Sequence, residues 1–116
     1  MIERNRQVRN IWCMARIFLV YITTRDEAEA EKIGEALVLE HLAACANVIP
    51  KIKSIYNWNG SLQRDSESLL LLKVKESKLD ELIKRAKELH SYELPCIVSY
   101  LSGPSNPDYV EWVLNS

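Results

Sequence analysis

An α+β fold with elements in the order β-α-β-β-α-β is predicted by three observations. Short runs of β-forming residues recur at Ile17–Ile22, Ser68–Val74 and Cys96–Leu101. Apolar residues at Leu79, Leu82, Ile83, Ala86 and Leu89 follow the spacing of one face of an amphipathic helix. Asn59-Gly60, a dipeptide suited to a tight hairpin turn, separates two extended stretches.

Ile17–Ile22 is an unbroken apolar run, short and rich in β-formers, so it reads as a strand buried on both faces. Thr24 with Glu27 three residues on predicts a capping box. The helix it opens is expected over 27–41, with Ala30, Ile33 and Leu37 on its apolar side and Gly34 permitting close packing. Residues 44–58 then become extended. Ile52, Ser54, Tyr56 and Trp58 share one face, and Lys51, Lys53, Ile55 and Asn57 the other. Pro50 has no N–H for a ladder and marks an edge or a bulge. The turn is expected across the stretch NWNGSLQRDS, and the return strand over Ser68–Val74. Ser77 is the expected N-cap of the second helix, with Asp80 and Glu81 favourably placed near its start. Pro95 lies past its end, Cys96–Leu101 forms the fourth strand, and Asp108–Leu114 a short last helix. This order is the ferredoxin-like plan, with two helices on one face of an antiparallel sheet.

That plan leaves the second face open, and the sequence makes it apolar. The first strand offers Ile17, Leu19 and Tyr21 to one side and Phe18, Val20 and Ile22 to the other. The third divides Leu69–Leu72 evenly between the two sides. Each aliphatic side chain taken fully out of water stabilises by about 1.5–3 kcal/mol. Several left on an open sheet would form a large exposed apolar patch. With no chain left over to cover it, an obligate homo-oligomer is expected, a second copy supplying the cover.

Composition narrows the function. The chain has 116 residues, 47% apolar and 27% charged, which suits one globular domain. Its net charge of −1 argues against a dedicated nucleic-acid binder. No run approaches the ~20 apolar residues of a membrane span. Three cysteines without a C-x-x-C pair or a framework spacing read as reduced thiols, so a cytoplasmic location is expected. The basic stretch RNRQVRN precedes apolar residues that Arg16 splits, leaving no convincing signal core. Met14 could itself serve as a start, which sets residues 1–13 apart as an N-terminal extension to a domain of 14–116.

The stretches LAACANVIP, SIYNWNG, LLLLKV and LHSYELPCIV, in this order and spacing, resemble the CutA divalent-cation tolerance family, from about Ile17 to the end. The resemblance implies a ferredoxin-like subunit, a tight homotrimer shaped like the nitrogen-regulatory PII proteins, and an association with tolerance of copper or other divalent metals. The chain departs from the family pattern at Ser91, where the resemblance implies proline. It also has Ile22 and Leu89-His90 where some members carry a cysteine and two adjacent histidines as proposed copper ligands.

Cys45 is therefore either a soft metal ligand or nucleophile, or a small packing residue between helix and strand. His41, four residues before it, has ligand spacing on a helix but is expected to face water. His90 and Glu93 either line a pocket at a subunit boundary as Cu(II) or Zn(II) ligands or sit passively past the second helix, where Tyr92 packs its ring and His90 favours the helix dipole. Lys73, an interruption in the apolar third strand, is either a snorkelling lysine or part of a polar, aromatic-walled inter-subunit cleft with Glu93, Tyr56 and Trp58 for a small anion or metal complex. No glycine-rich phosphate loop, nucleophile elbow or paired-carboxylate spacing is present, and no third group orients Cys45 with His90. The expected role is thus a non-enzymatic homotrimer that binds divalent metal, Cu(II) foremost, through His90, Cys45 and Glu93, with no cofactor required for folding. The alternative is a PII-like signalling trimer that takes a small metabolite through Lys73, Trp58 and Tyr56.

Overall fold

The computed structural model describes residues 16–116. The expected extension, residues 1–13, lies outside the described residues. The elements are β1 (Ile17–Thr24), α1 (Glu27–Leu39), β2 (Cys45–Trp58), β3 (Ser61–Lys75), α2 (Glu76–Leu89), β4 (Ile97–Leu101) and α3 (Pro107–Leu114). The strands form one antiparallel sheet in the order β2-β3-β1-β4, so β1 and β3 are central as the ferredoxin-like plan requires.

The main core lies between that sheet and the first two helices. Val20 and Ile22 of β1 and Leu70, Leu72 and Val74 of β3 meet Ala30, Ile33 and Leu37 of α1 and Leu82 and Ala86 of α2. Leu79, Ile83 and Leu89 complete the α2 stripe at the rim of this core. Gly34 lets α1 approach the sheet closely. A Cβ there would stand 3.1 Å from Leu70 Cδ1 and 3.3 Å from the Ala46 Cβ.

Several boundaries differ from expectation for identifiable reasons. Thr24 does not cap α1, because its hydroxyl donates to the backbone oxygens of Asp26 and Ser68 inside the sheet. Asp26 caps instead, its carboxylate accepting from the Glu29 N–H at 2.8 Å, while Glu29 accepts from the Arg25 N–H. The helix stops at Leu39 rather than His41. His41 adopts φ of 60°, and the N–H groups of Leu42 and His41 return to Leu37 and Val38 oxygens. That is a Schellman end with histidine where glycine is usual.

The hairpin turn is two residues, not ten. Asn59 and Gly60 both take positive φ, 50° and 81°, as a type I′ turn demands. β3 therefore begins at Ser61 rather than Ser68, and polar residues such as Gln63 and Asp65 continue the strand because it is an arm in solvent. Ser77 is not an N-cap either. β3 passes straight into α2, and the Glu76 N–H finds the Arg16 oxygen. Cys96 precedes β4 instead of starting it.

The second face of the sheet is partly covered by the chain itself. Val110 and Val113 of α3 pack on Ile17, with Ala44 and Leu114 beside them. The cover extends over one end only. Val98 and Tyr100 of β4 remain exposed there, as does Ile49 of β2; Leu101, also exposed, pairs with Phe18 and lies on the helix side instead. Beyond Pro50 the β2–β3 ribbon projects as an arm in which no residue from 51 to 67 is buried. Ile55, Tyr56, Trp58 and Leu62 stand on it in solvent.

Candidate functional site

A cleft of about 630 Å³ opens where the base of this arm meets the loop after α2. The Pro50 bulge builds one wall. Between Ile49 and Ile52 the pairing shifts by one residue, so Ile52, Ser54, Tyr56 and Trp58 pair with Glu67, Asp65, Gln63 and Ser61. The alternation of a strand then puts Tyr56, Trp58, Gln63, Asp65 and Glu67 on one side of the ribbon. Tyr92, Glu93, Leu94 and Cys96 close the other wall, and Thr23 lies at the base.

The rings are held by the acids. The Tyr56 hydroxyl donates to Asp65, and the Tyr92 hydroxyl donates to Glu67 at 2.8 Å. The bond to Asp65 pushes the Tyr56 phenol above its ordinary pKa. Burial, then the bond to Glu67 and the surrounding carboxylates, push the Tyr92 phenol up further. Both phenols thus stay protonated donors to the acids beside them. Among the lining residues there is no lysine, arginine or histidine.

The loop forming the second wall is pinned from behind. His90 is buried, its Nε2–H donating to the Thr23 oxygen at 2.8 Å and its Nδ1 accepting from the Tyr92 N–H at 3.1 Å. The Tyr92 ring packs on the imidazole at 4.8 Å between centroids. Glu29, also buried, accepts from the Ser91 N–H at 2.9 Å. Burial opposes its ionisation, but the bonds from Ser91 and Arg25, with His90 nearby, outweigh that and hold the carboxyl below its ordinary value. Ser91 matters here as a backbone donor: proline, the residue implied at this position by the resemblance, has no N–H to give.

The structure divides the residues singled out in the sequence. Tyr56, Trp58 and Glu93 line the cleft together. His90 supports the cleft from beneath with both ring nitrogens engaged, which leaves no lone pair for a metal in this arrangement. Lys73 does not join Glu93, Tyr56 and Trp58 within the subunit. Its register partner is Cys45, twelve residues along β3 from the partner of Trp58. Lys73 Nζ donates to Asn47 and lies 3.9 Å from Cys45 Sγ. Tyr109 of α3 is close to the same sulfur; burial and that sulfur push its phenol up. Cys45 and His90 are not a pair either. Cys45 is level with Leu19 in the register, and His90 holds Thr23, four residues along β1, or about 13 Å at the usual strand rise. His41 is exposed beyond the end of α1. Among the described residues, no three His, Cys, Asp or Glu side chains converge as a metal-holding group.

Sequence reasoning missed Glu29, Asp65 and Glu67. Asp65 was hidden by the over-long expected turn, although Gln63, Asp65 and Glu67 alternate opposite Tyr56 and Trp58. Glu29 was visible as the last residue of an Asp-x-x-Glu capping box.

Residues 18–116 match the sequence model of the CutA1 divalent ion tolerance protein family. The chain belongs to the CutA1 family. It is 41% identical over 95 residues to the divalent-cation tolerance protein CutA of Thermus thermophilus, covering 82% of this chain and 92% of that relative. It is 37% identical over 98 residues to the chloroplastic protein CutA 1 of Oryza sativa, covering 84% of this chain but 55% of the longer relative. The crystal structure of CutA1 from Oryza sativa superposes with a TM-score of 0.83 at 35% identity, over 86% of this chain and 92% of that one. CutA1 from Thermus thermophilus gives 0.79 at 40% identity, over 86% and 95%. The family and its ferredoxin-like architecture agree with the resemblance drawn from the LAACANVIP and LHSYELPCIV stretches.

Proposed function

We propose that this chain is a non-enzymatic binding protein of divalent-cation tolerance, working as a cytoplasmic homotrimer whose clefts take up a divalent metal ion, Cu(II) foremost. The observation that supports the metal reading most is the sign of the cleft. Asp65, Glu67 and Glu93 line it with no basic side chain among them. Carboxylates are competent ligands for divalent cations, and their shared field raises the local cation concentration. Glu93, exposed and free of a hydrogen-bonded phenol, is the donor best placed to bind. Within one subunit the acids do not converge into a chelate, so water or a neighbouring subunit completes the coordination.

Trimer formation is supported by the apolar surface that α3 leaves uncovered. His90 serves as a support for the cleft wall rather than as a ligand, and Cys45 belongs to a separate cluster with Lys73. A signalling trimer for an anionic metabolite draws less support from the single subunit, where Lys73, the cation such a ligand would need, lies at the far end of β3.

Calorimetric titration with Cu(II) tests the metal reading. Glu93→Gln is expected to weaken binding by about tenfold, because a neutral amide is a poorer ligand than a carboxylate. Identical binding by the two proteins removes the cleft as the site. Light scattering tests the assembly, with three times the 13.4 kDa chain mass expected. A folded species at the single-chain mass contradicts it.

A further inference from the structure

We infer that the cleft at the base of the β2–β3 arm binds an organic ammonium cation, with the aromatic rings of Trp58, Tyr56 and Tyr92 and the carboxylates of Asp65, Glu67 and Glu93 acting together. The inference shares the negative cleft with the reading above but does not depend on metal binding.

The walls offer carboxylates and aromatic faces side by side. A bare divalent metal uses the carboxylates and gains nothing from an aromatic face. An alkylated ammonium is weakly hydrated, greasy on its surface and positively charged, and it gains from both. A cation over an aromatic face is worth about 0.5–1 kcal/mol when exposed and about 2 kcal/mol when desolvated, with tryptophan the best partner. Three aromatic side chains in one acidic cleft are more than chelation needs. The volume, about 630 Å³, is also that of a small-molecule site rather than of a single ion.

The rings are also held in place before any ligand arrives. Tyr92 is fixed by its hydroxyl on Glu67, its ring on His90 and its N–H on the imidazole. Tyr56 is fixed on Asp65 from the adjacent strand. Each phenol spends its hydroxyl on an acid, so each pair presents a ring next to a negative charge. Trp58 makes no such commitment; it is 55% exposed at the arm and free to close over a ligand. Leu94, 76% exposed, adds an apolar rim for alkyl groups. The lining residues include no cationic side chain to favour an anion.

The test compares choline with 3,3-dimethyl-1-butanol, its uncharged isostere, by calorimetric titration into the full-length protein. Choline is expected to bind at least tenfold more tightly than the alcohol. Trp58→Leu and Glu67→Gln are each expected to weaken choline binding about tenfold, with circular dichroism and elution volume confirming that both variants are folded. Glu93→Gln, at an exposed position, is the safeguard if either fails to fold, and it too should weaken choline binding. Equal affinity for choline and its isostere, no choline binding up to about 10 mM, or unchanged affinity in the folded variants overturns the inference. A Cu(II) titration of the same unaltered protein reports separately on the metal. Choline selectivity without Cu(II) binding sinks only the metal reading, and Cu(II) binding without choline selectivity sinks only this one.

Discussion

Glu29 shows how much one buried carboxylate does for the cleft from outside it. It closes the cap of α1 through Arg25 and, through Ser91, ties down the loop that carries Tyr92 and Glu93. Its carboxyl is held below the ordinary value, so the native state favours the ionised form. Its contribution is therefore complete above the unfolded pKa of about 4.3 and is lost as pH falls through the lower native value. Glu29→Gln is expected to cost about 1–2 kcal/mol at pH 7. In urea unfolding the gap from the unaltered protein should narrow below about pH 4; equal midpoints at pH 7 contradict the assignment. A second residue under local constraint is His41, whose φ of 60° strains an L side chain. His41→Gly should stabilise by about 0.5–1 kcal/mol, read as a rise in Tm; a fall would show that the imidazole makes a contact worth more than the strain.

At the scale of elements, legibility followed the number of forces acting on each segment. The α2 stripe was plain in the sequence because one force, burial of Leu82 and Ala86 with their neighbours, shapes it along its whole length. Leu82→Ala should accordingly cost about 2–5 kcal/mol by chemical denaturation. A loss under 1 kcal/mol would mean the core collapses around the gap. The caps were not legible because they were contested. Thr24, Asp26 and Ser77 are all competent cap residues, and tertiary partners decided among them: Ser68 took the Thr24 hydroxyl, and Arg16 took the Glu76 N–H. The arm was misjudged at Ser61–Glu67 because alternation of polar with apolar residues presumes one wet and one dry face, whereas this ribbon is wet on both. The same misreading hid Asp65, and within one subunit the register sets Lys73 apart from Tyr56 and Trp58. Tyr56, Trp58 and Glu93 were found because aromatic and charged residues near a turn stand out without any register.

For the whole molecule, the sequence announced an apolar sheet face, and the structure shows that its own last helix claims a third party's share of it, at the Ile17 end. The remainder, with Val98, Tyr100 and Ile49, is where the proposed trimer closes. Val98→Asp places a charge there without touching the main core. It is expected to lower the mass seen by light scattering toward that of one chain, through a desolvation penalty of several kcal/mol per buried ion. A full-mass assembly for this variant would move the seam elsewhere.

Pro50 and the irregularity around it carry one more consequence. Odd-numbered positions of β2 look one way up to Ile49, and even-numbered positions look that same way from Ile52 onward. The extra residue works as a parity switch in the strand. Keep the residue but flatten the bulge, and the ladder runs on in plain alternation from Ile49: Tyr56 and Trp58 turn their backs on Tyr92 and Glu93 while every residue keeps its identity. Composition would be unchanged, the two-residue turn at Asn59-Gly60 would slip, and Lys51, Lys53 and Ile55 would stand opposite Glu67, Asp65 and Gln63 in place of the two rings.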